Sequence, residues 1–177
     1  VELAERANGP ISRPVAFEYP WGVLLEELAR RRPARRIVNL ETAVTTACEA
    51  EPKGINYRMH PDNLPVLRAA GIDACVLANN HVLDWGRAGL DETLRSLGRA
   101  GIACAGAGGT AAEAAAPVAL PLAGGGRLLL LAFASGTSGV PRHWAAGEAK
   151  CGLSLLPESP GEAVAAARGA LDAAGVA

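Results

Sequence analysis

The chain has 177 residues, with 17 basic and 18 acidic side chains and a formal net charge of −1 at pH 7. This length suits one domain with a sizeable buried core and is short for two. A charge balance near zero gives no general reason to expect nucleic acid or an anionic membrane as a partner. No apolar run reaches the roughly 18 residues that a membrane-spanning helix needs. We therefore expect a single domain over residues 1–177, with no nucleic-acid partner and no membrane segment in this chain.

The cysteines and the first residues bear on metal binding and compartment. Cys48, Cys75, Cys104 and Cys151 form no CxxC pair, which argues against a structural zinc knuckle. Cys75 and Cys104 lie in apolar runs and are predicted to be buried core residues. The chain begins at Val1 without a visible signal peptide, and we expect its N-terminus to be incomplete. The compartment therefore stays open.

The predicted elements of the first two thirds of the chain alternate between helix and strand. Apolar residues at helical spacing predict a first helix that Pro33 ends, and Gly71 and Gly101 close two later helices. In chain order we predict helix 21–32, strand 36–40, strand 55–59, helix 61–70, strand 73–78, helix 87–100 and strand 102–105.

The last third of the chain contains two capping boxes and a glycine-linked strand pair. Thr110 with Glu113, and Ser159 with Glu162, have the spacing of a capping box at a helix start. Three consecutive glycines join two apolar runs and predict a hairpin. In chain order we predict helix 110–115, strands 117–122 and 127–133, an irregular stretch 134–159 and a final alanine-rich helix.

This alternation predicts βαβ units, and therefore an α/β fold with a mainly parallel, buried sheet. In open α/β sheets, ligands gather beyond the carboxyl ends of the strands. Three polar or glycine-rich segments follow predicted strands, at residues 39–41, 79–81 and 106–109. The topology could bring all three to one edge of the sheet.

The segment Asn79-Asn80-His81 is the most informative of the three. Asn80 offers an amide oxygen that a divalent cation accepts, and His81 offers a nitrogen ligand or a proton donor. Asp84 is placed to accept the second ring N–H of His81 and to fix its tautomer. The alternative is structural, with Asn79 and Asn80 satisfying backbone groups in a turn and His81 starting a helix. The local pattern favours neither reading.

The segment Asn39-Leu40-Glu41 has the same position after an earlier strand. A carboxylate there suits a metal ligand or a general base, and the alternative is a solvated loop glutamate. Two further residues, Arg58 and His60, are candidate substrate contacts. The alternatives are a salt bridge for Arg58 and a capping or packing role for His60.

The remaining candidates point to structure more than to chemistry. The glycines of 106–109 could cradle a phosphate, as in a nucleotide-binding domain, but they match neither GxGxxG nor a Walker motif. A tight strand–helix turn explains them as well. His143-Trp144 is predicted to pack at the surface. No serine or cysteine lies in a recognisable nucleophile setting.

The sequence resembles the CapA family, which is named for poly-γ-glutamate capsule synthesis, over about residues 21–133. The resemblance is carried by residues 37–42, by the Asn-Asn-His-x-x-Asp-x-Gly stretch within 70–86, and by 89–94, 100–108 and 114–117. It implies a calcineurin-like α/β/β/α sandwich with a centre of one or two divalent ions, such as Mn, Fe, Zn or Mg. Such a centre activates water and clamps a phosphoester or a related anion.

The resemblance also implies roles for individual residues. Glu41 and Asn80 are expected to be metal ligands, and His81 is expected to be the proton donor or transition-state stabiliser. The residues expected to support them are Asn39, Asn79 and Asp84. The expected substrate is an anionic polymer or phosphoester of capsule or cell-envelope metabolism.

Two family features have no match in this sequence. No Gly-Asp segment precedes Trp21, and His143-Trp144 lacks the glycine of a His-Trp-Gly segment. We therefore expect a truncated domain, with a non-catalytic remnant or binding module as the alternative function. An incomplete sheet would expose an edge strand, so self-association is predicted, and a monodisperse monomer in light scattering would contradict it.

Overall fold

The structure is a computed structural model that describes residues 5–7 and 9–175. Its α-helices are α1 (Leu24–Arg31), α2 (Pro65–Ala69), α3 (Gly86–Arg99), α4 (Ala111–Ala115) and α5 (Pro160–Ala173). Its strands are β1 (Ile37–Asn39), β2 (Ala43–Val44), β3 (Arg58–Met59), β4 (Ala74–Val76), β5 (Ala103–Ala105), β6 (Ala107–Gly108), β7 (Val118–Pro121), β8 (Arg127–Leu130) and β9 (Gly152–Leu153). Short 3₁₀ turns lie at Tyr19–Trp21, Pro61–Asn63, Gly136–Ser138 and Arg142–Trp144.

A parallel sheet of three strands organises the fold, in the order β1-β4-β5. The predicted α/β class is thereby confirmed. The other strands form two-stranded pairs: β2 with β3 is parallel, while β6 with β9 and β7 with β8 are antiparallel. The predicted glycine-linked hairpin is therefore confirmed as β7–β8. The calcineurin-like α/β/β/α sandwich stays a prediction.

Helix α3 packs its apolar face against the core. Leu90 and Leu97 are fully buried, and the helix packs against β2 and β5. Leu77, which follows β4, is fully buried in the same cluster. Between the strands lie Cys75 and Cys104, which are register partners on β4 and β5, and burial raises the pKa of both thiols to about 12. Cys75 is a buried core residue, as predicted, whereas Cys104 is only partly buried and packs against the core.

The helices α2 and α3 end in the same way and lead directly into β4 and β5. After α3, the N–H of Gly101 donates to Gly98 O (3.0 Å) and the N–H of Ile102 donates to Leu97 O (3.0 Å). Gly101 has φ of 72° there, as a Schellman ending requires. The sequence Ala70-Gly71-Ile72 repeats this geometry after α2, with Gly71 at φ of 61°. Both predicted glycine stops are confirmed.

Several predicted elements are shorter or divided in the structure. The first helix begins at Leu24 and ends before Arg32, whose φ of 49° is left-handed. The predicted helix 61–70 is split into a 3₁₀ turn and α2, since Pro65 has no N–H to continue the preceding turn. Only the last two residues of predicted strand 55–59 form β3, and the region 134–159 contains β9 among its turns.

Neither predicted capping box is complete: at α4 the Glu113 carboxylate bonds to the residue before the cap instead of to the N–H of Thr110. The Thr110 hydroxyl accepts from the N–H of Glu113 at 3.2 Å, and the Glu113 carboxylate accepts from the N–H of Gly109 at 2.8 Å. At α5, by contrast, the Ser159 side chain makes no capping hydrogen bond. Pro160 fixes the backbone of that first turn instead.

Helix α3 also holds the loop that follows β2. The Glu92 carboxylate accepts hydrogen bonds from the Thr45 hydroxyl (2.5 Å) and from the N–H of Thr46 (2.9 Å). These bonds, that of Thr45 foremost, lower the pKa of Glu92. Within residues 5–7 and 9–175, none of the helices has the length and apolar character needed to cross a membrane.

Gly106→Ala is expected to destabilise the protein more than Gly125→Ala does. Both glycines have positive φ, of 87° and 88°, so both changes carry a backbone cost of about 1–2 kcal/mol. Only at Gly106 would the new Cβ lie 2.6 Å from the Cβ of Ala78, which adds about 1–3 kcal/mol of overpacking. Urea unfolding of the two variants measures the difference, and equal losses would contradict the packing we describe.

Glu92→Gln is expected to change the acid dependence of stability. A carboxyl group whose pKa is lowered on folding stabilises the native state above its unfolded pKa of about 4.3. That stabilisation is lost as the pH falls through the lower folded pKa. The wild-type advantage over Glu92→Gln should therefore shrink in acid urea titrations. An exposed-site control, Glu162→Gln, should follow the wild-type curve, and a pH-independent gap for Glu92→Gln would contradict the expectation.

Candidate functional site at the carboxyl edge of the sheet

The predicted segments 39–41 and 79–81 meet at the carboxyl ends of β1 and β4. Asn39 is the register partner of Val76, and the N–H of Leu40 donates to Val76 O at 3.0 Å. The side-chain NH₂ of Asn79 then donates to Asn39 Oδ1 and to Leu40 O, both at 3.0 Å. A single amide thus joins the two segments, and the predicted meeting of these strand ends is present.

Asn79 also shapes the turn that carries His81. Its Oδ1 accepts from the N–H of His81 and from the N–H of Val82, both at 3.0 Å. With only 6% of its surface exposed, Asn79 uses both halves of its amide inside the protein. The structural alternative considered for this segment therefore describes Asn79 well: it satisfies backbone groups in a turn.

His81 lies against Asp84, as its spacing predicts. The distance from His81 Nδ1 to Asp84 Oδ2 is 2.8 Å, and the Asp84 side chain is fully buried. Because an ionised carboxylate only accepts hydrogen bonds, the network assigns the proton to Nδ1 and leaves a lone pair on Nε2. The His81 side chain is 12% exposed, so this nitrogen belongs to a nearly enclosed ring.

The buried carboxylate of Asp84 has two further donors from the segment 51–57. Lys53 Nζ donates to Oδ1 at 2.6 Å, and the N–H of Tyr57 donates to Oδ2 at 2.6 Å. The Tyr57 ring also stacks on the His81 ring, with centroids 4.1 Å apart. The charge of Asp84 is therefore both paired and hydrogen-bonded, as a buried carboxylate requires.

Glu41 and Asn80, the expected metal ligands, differ in their surroundings. Glu41 is exposed, and its Oε1 accepts from the Asn39 side chain at 2.9 Å. Asn80 is half-buried beside Gly139, and its side chain makes no hydrogen bond to any residue that the structure describes. Glu41 is therefore oriented through Asn39 and Asn79, while the Asn80 amide is left available.

The donor types at this edge suit a divalent cation, although their number is small. A carboxylate oxygen, an amide oxygen and an imidazole nitrogen are all ligands that Mg, Mn, Fe or Zn accept. Within residues 5–7 and 9–175, however, no three His, Cys, Asp or Glu side chains come together as a metal site. The described residues thus fit part of a coordination shell, which suits an ion that keeps several waters.

The glycine segment 106–109 reaches the same edge, where packing explains its glycines. A Cβ on Gly106 would lie 2.6 Å from Ala78 Cβ, and one on Gly108 would lie 2.5 Å from the nitrogen of Ala114. The N–H of Gly109 is already bonded to Glu113. These contacts support the tight-turn interpretation over a phosphate cradle.

The two weaker candidates are held by local contacts. Arg58 donates to Ala47 O at 2.7 Å, and its guanidinium lies 4.3 Å from the ring centroid of Trp85. His60 accepts from the N–H of Asp62 at 3.2 Å and so caps the 3₁₀ turn that follows. The capping alternative for His60 is present. Arg58 packs on the ring of Trp85 and forms no salt bridge with any acidic residue in the described part of the chain. Their proposed contacts with substrate stay predictions.

Sequence reasoning missed Lys53 and misjudged Trp144. Trp144 is only 2% exposed and belongs to the hydrophobic core, so surface packing was wrong for it, whereas His143 is exposed. Lys53 Nζ lies 5.4 Å from the centroid of the Trp144 ring. One signal was present in the sequence: Lys53 is one of two lysines among 17 basic residues.

Asp84→Asn is expected to lower the free energy of unfolding by about 3 kcal/mol or more, because Lys53 would lose the buried partner of its charge. Asp91→Asn is the matched control, since Asp91 forms an ion pair with Arg95 on the exposed face of α3. An exposed pair of this kind contributes less than about 1 kcal/mol to the free energy of unfolding. Urea unfolding at neutral pH measures both. Equal effects of the two substitutions would contradict the buried network.

Comparison with known proteins assigns the family. The sequence model described as bacterial capsule synthesis protein PGA_cap matches residues 2–174. Two proteins from the CDC 1551 and H37Rv strains of Mycobacterium tuberculosis, each described as a probable polyglutamine synthesis accessory protein, are 41% identical over 157 residues. These matches cover 88% of this chain and 41% of each relative.

A more distant match has no described function. An uncharacterized protein of Sinorhizobium fredii is 41% identical over 87 residues, which cover 49% of this chain and 19% of the relative. This chain spans about two fifths of the length of the mycobacterial relatives it matches. The resemblance carried by the Asn-Asn-His-x-x-Asp-x-Gly stretch is confirmed: the chain belongs to the bacterial capsule synthesis family, PGA_cap or CapA.

Proposed function

We propose that this chain forms the acid–base and part of the metal-binding portion of a metallophosphatase-like hydrolase. Its substrate would be poly-γ-glutamate or a related anionic polymer or phosphoester of the cell envelope. The observation that carries the proposal is the His81–Asp84 pair, at 2.8 Å, next to the uncommitted amide of Asn80. The family description of capsule synthesis, and the mycobacterial relatives described as polyglutamine synthesis accessory proteins, support the polymer.

Each residue of the edge has a chemical task under this proposal. Asn80 and Glu41 would hold the divalent cation, which supplies an activated water and neutralises anionic charge when bound. His81 exchanges a proton through Nε2, because Nδ1 is committed to Asp84. Asn39 orients Glu41 through the 2.9 Å hydrogen bond between their side chains.

A second candidate function is a non-catalytic binding module on the same scaffold. It is favoured by one observation: within the described ranges, no three His, Cys, Asp or Glu side chains are grouped closely enough to hold a metal ion. Such a module would retain the cation or anion contacts without turnover. Self-association stays a prediction beside both candidates, since β1 is a terminal strand of its sheet.

Titration calorimetry with Mn²⁺ tests the metal assignment. Asn80→Ala and Glu41→Gln are each expected to weaken binding by at least about tenfold, since removing even an outer partner of a ligand has that effect. The exposed Asn63→Ala is the matched control and should bind as the wild type does. Equal affinities across all four proteins would remove the assignment of Asn80 and Glu41.

The wild type and a His81→Gln variant separate the two candidate functions. In the presence of Mn²⁺, the hydrolase proposal expects turnover of a generic phosphodiester and a loss of at least about 100-fold in His81→Gln. Metal binding without any turnover in the wild type would favour the binding module instead.

A further inference from the structure

Lys53 makes a more specific set of contacts than an ordinary surface lysine. Its ammonium donates to the backbone carbonyl of Asn80 at 2.6 Å and to Asp84 Oδ1 at 2.6 Å. It also lies 3.5 Å from His81 Nδ1. Because Nδ1 gives its proton to Asp84, that last distance is a close approach and not a hydrogen bond. One side chain therefore touches three residues of the turn that carries the candidate site.

The contacts divide the two oxygens of Asp84 between different partners. Oδ1 accepts from Lys53, while Oδ2 accepts from His81 and from the N–H of Tyr57. The carboxylate cannot rotate without giving up a charged hydrogen bond in a fully buried position. Lys53 thus keeps Oδ2 directed towards the His81 ring.

The rest of the segment 51–57 supports the same arrangement. The N–H of Glu51 donates to the backbone carbonyl of Asp84 at 2.8 Å, and the Asn56 side chain donates to Glu51 O at 3.0 Å. The Tyr57 ring covers one side of His81. The segment that carries Lys53 is therefore attached to Asp84 through the backbone of Glu51 as well as through the Lys53 ammonium.

A surface ion pair would not explain this geometry. Such pairs join exposed groups and contribute little, whereas the Lys53 side chain is 28% exposed and its partner is fully buried. The residue type also matters, since Lys53 is one of only two lysines among the 17 basic residues of the chain. A compact ammonium has three donors that can reach a carbonyl and a carboxylate side by side, and a planar guanidinium has a wider, fixed fork.

We propose that Lys53 is a positioning residue of the candidate site. By bridging the Asn80 carbonyl and the Asp84 carboxylate, it fixes the His81 ring in the Nδ1–H tautomer, with Nε2 available. The proposal rests on the proposed role of His81 in proton exchange. It does not require that a metal ion bind.

Ring ¹⁵N spectra of histidine-labelled protein test this proposal without metal, at one alkaline pH. The chain has three histidines, and a His81→Gln spectrum identifies the signals of His81. In the wild type we expect two well-separated ring ¹⁵N resonances, typical of a fixed Nδ1–H tautomer. In Lys53→Met they should move together, towards the averaged values of the exposed His143.

The second lysine provides the matched control. Lys150 is exposed, so Lys150→Met should leave the His81 signals unchanged. A wild-type His81 spectrum in folded Lys53→Met would overturn the proposal. A second measurement needs no variant: the ammonium protons of Lys53 should exchange with solvent more slowly than those of Lys150, and equally rapid exchange at both lysines would overturn it too.

The outcome is separable from that of the proposed function. Failure of the Mn²⁺ titration would remove the metal assignment and leave the spectra of the metal-free protein unaffected. Unchanged spectra in Lys53→Met would remove the positioning role of Lys53 and leave the metal titration standing.

Discussion

The geometry of the candidate site depends on the buried side-chain amide of Asn79. Its NH₂ group joins the ends of β1 and β4 through Asn39 and Leu40, and its oxygen fixes the turn that begins at His81. A buried amide with unmet hydrogen bonds destabilises the folded state. Loss of one of these hydrogen bonds is therefore expected to weaken the others. Asn79, which directly precedes the candidate site residues Asn80 and His81, thus stabilises the backbone of the turn that carries them.

A second constraint comes from the charge of Asp84. Full burial would make an isolated carboxylate very unfavourable, and its three donors come from two separate parts of the chain. Satisfying Asp84 therefore draws the segment 51–57 against the turn 79–84. The same requirement that stabilises the fold places Lys53 and Tyr57 around His81.

The sequence was informative wherever the physical cause is local. Helix stops at Gly71 and Gly101, the Thr110 cap and the His81–Asp84 spacing all depend on residues within a few positions of each other. The meeting of segments 39–41 and 79–81 followed from the topology of parallel strands. At Ser159 a local rule failed: its side chain makes no capping hydrogen bond, although its spacing to Glu162 is that of a capping box.

Other features could not be predicted because their causes are remote in sequence. Lys53 reaches residues that lie 27 and 31 positions away, and no periodicity links them. Trp144 is buried because the irregular region 134–159 folds back onto the core, which its composition did not indicate.

The shared ending of α2 and α3 has a consequence for how the site tolerates change. Each glycine ends its helix and turns the backbone into the following strand. The position at which the strand starts is therefore set by the glycine and not by the length of the helix. Helical turns could be added or removed upstream while β4 and β5 keep their register, from Ala74 opposite Ala103 to Val76 opposite Ala105. A change in the length of either helix would therefore leave Asn79, Asn80 and His81 in place at the carboxyl edge of the sheet.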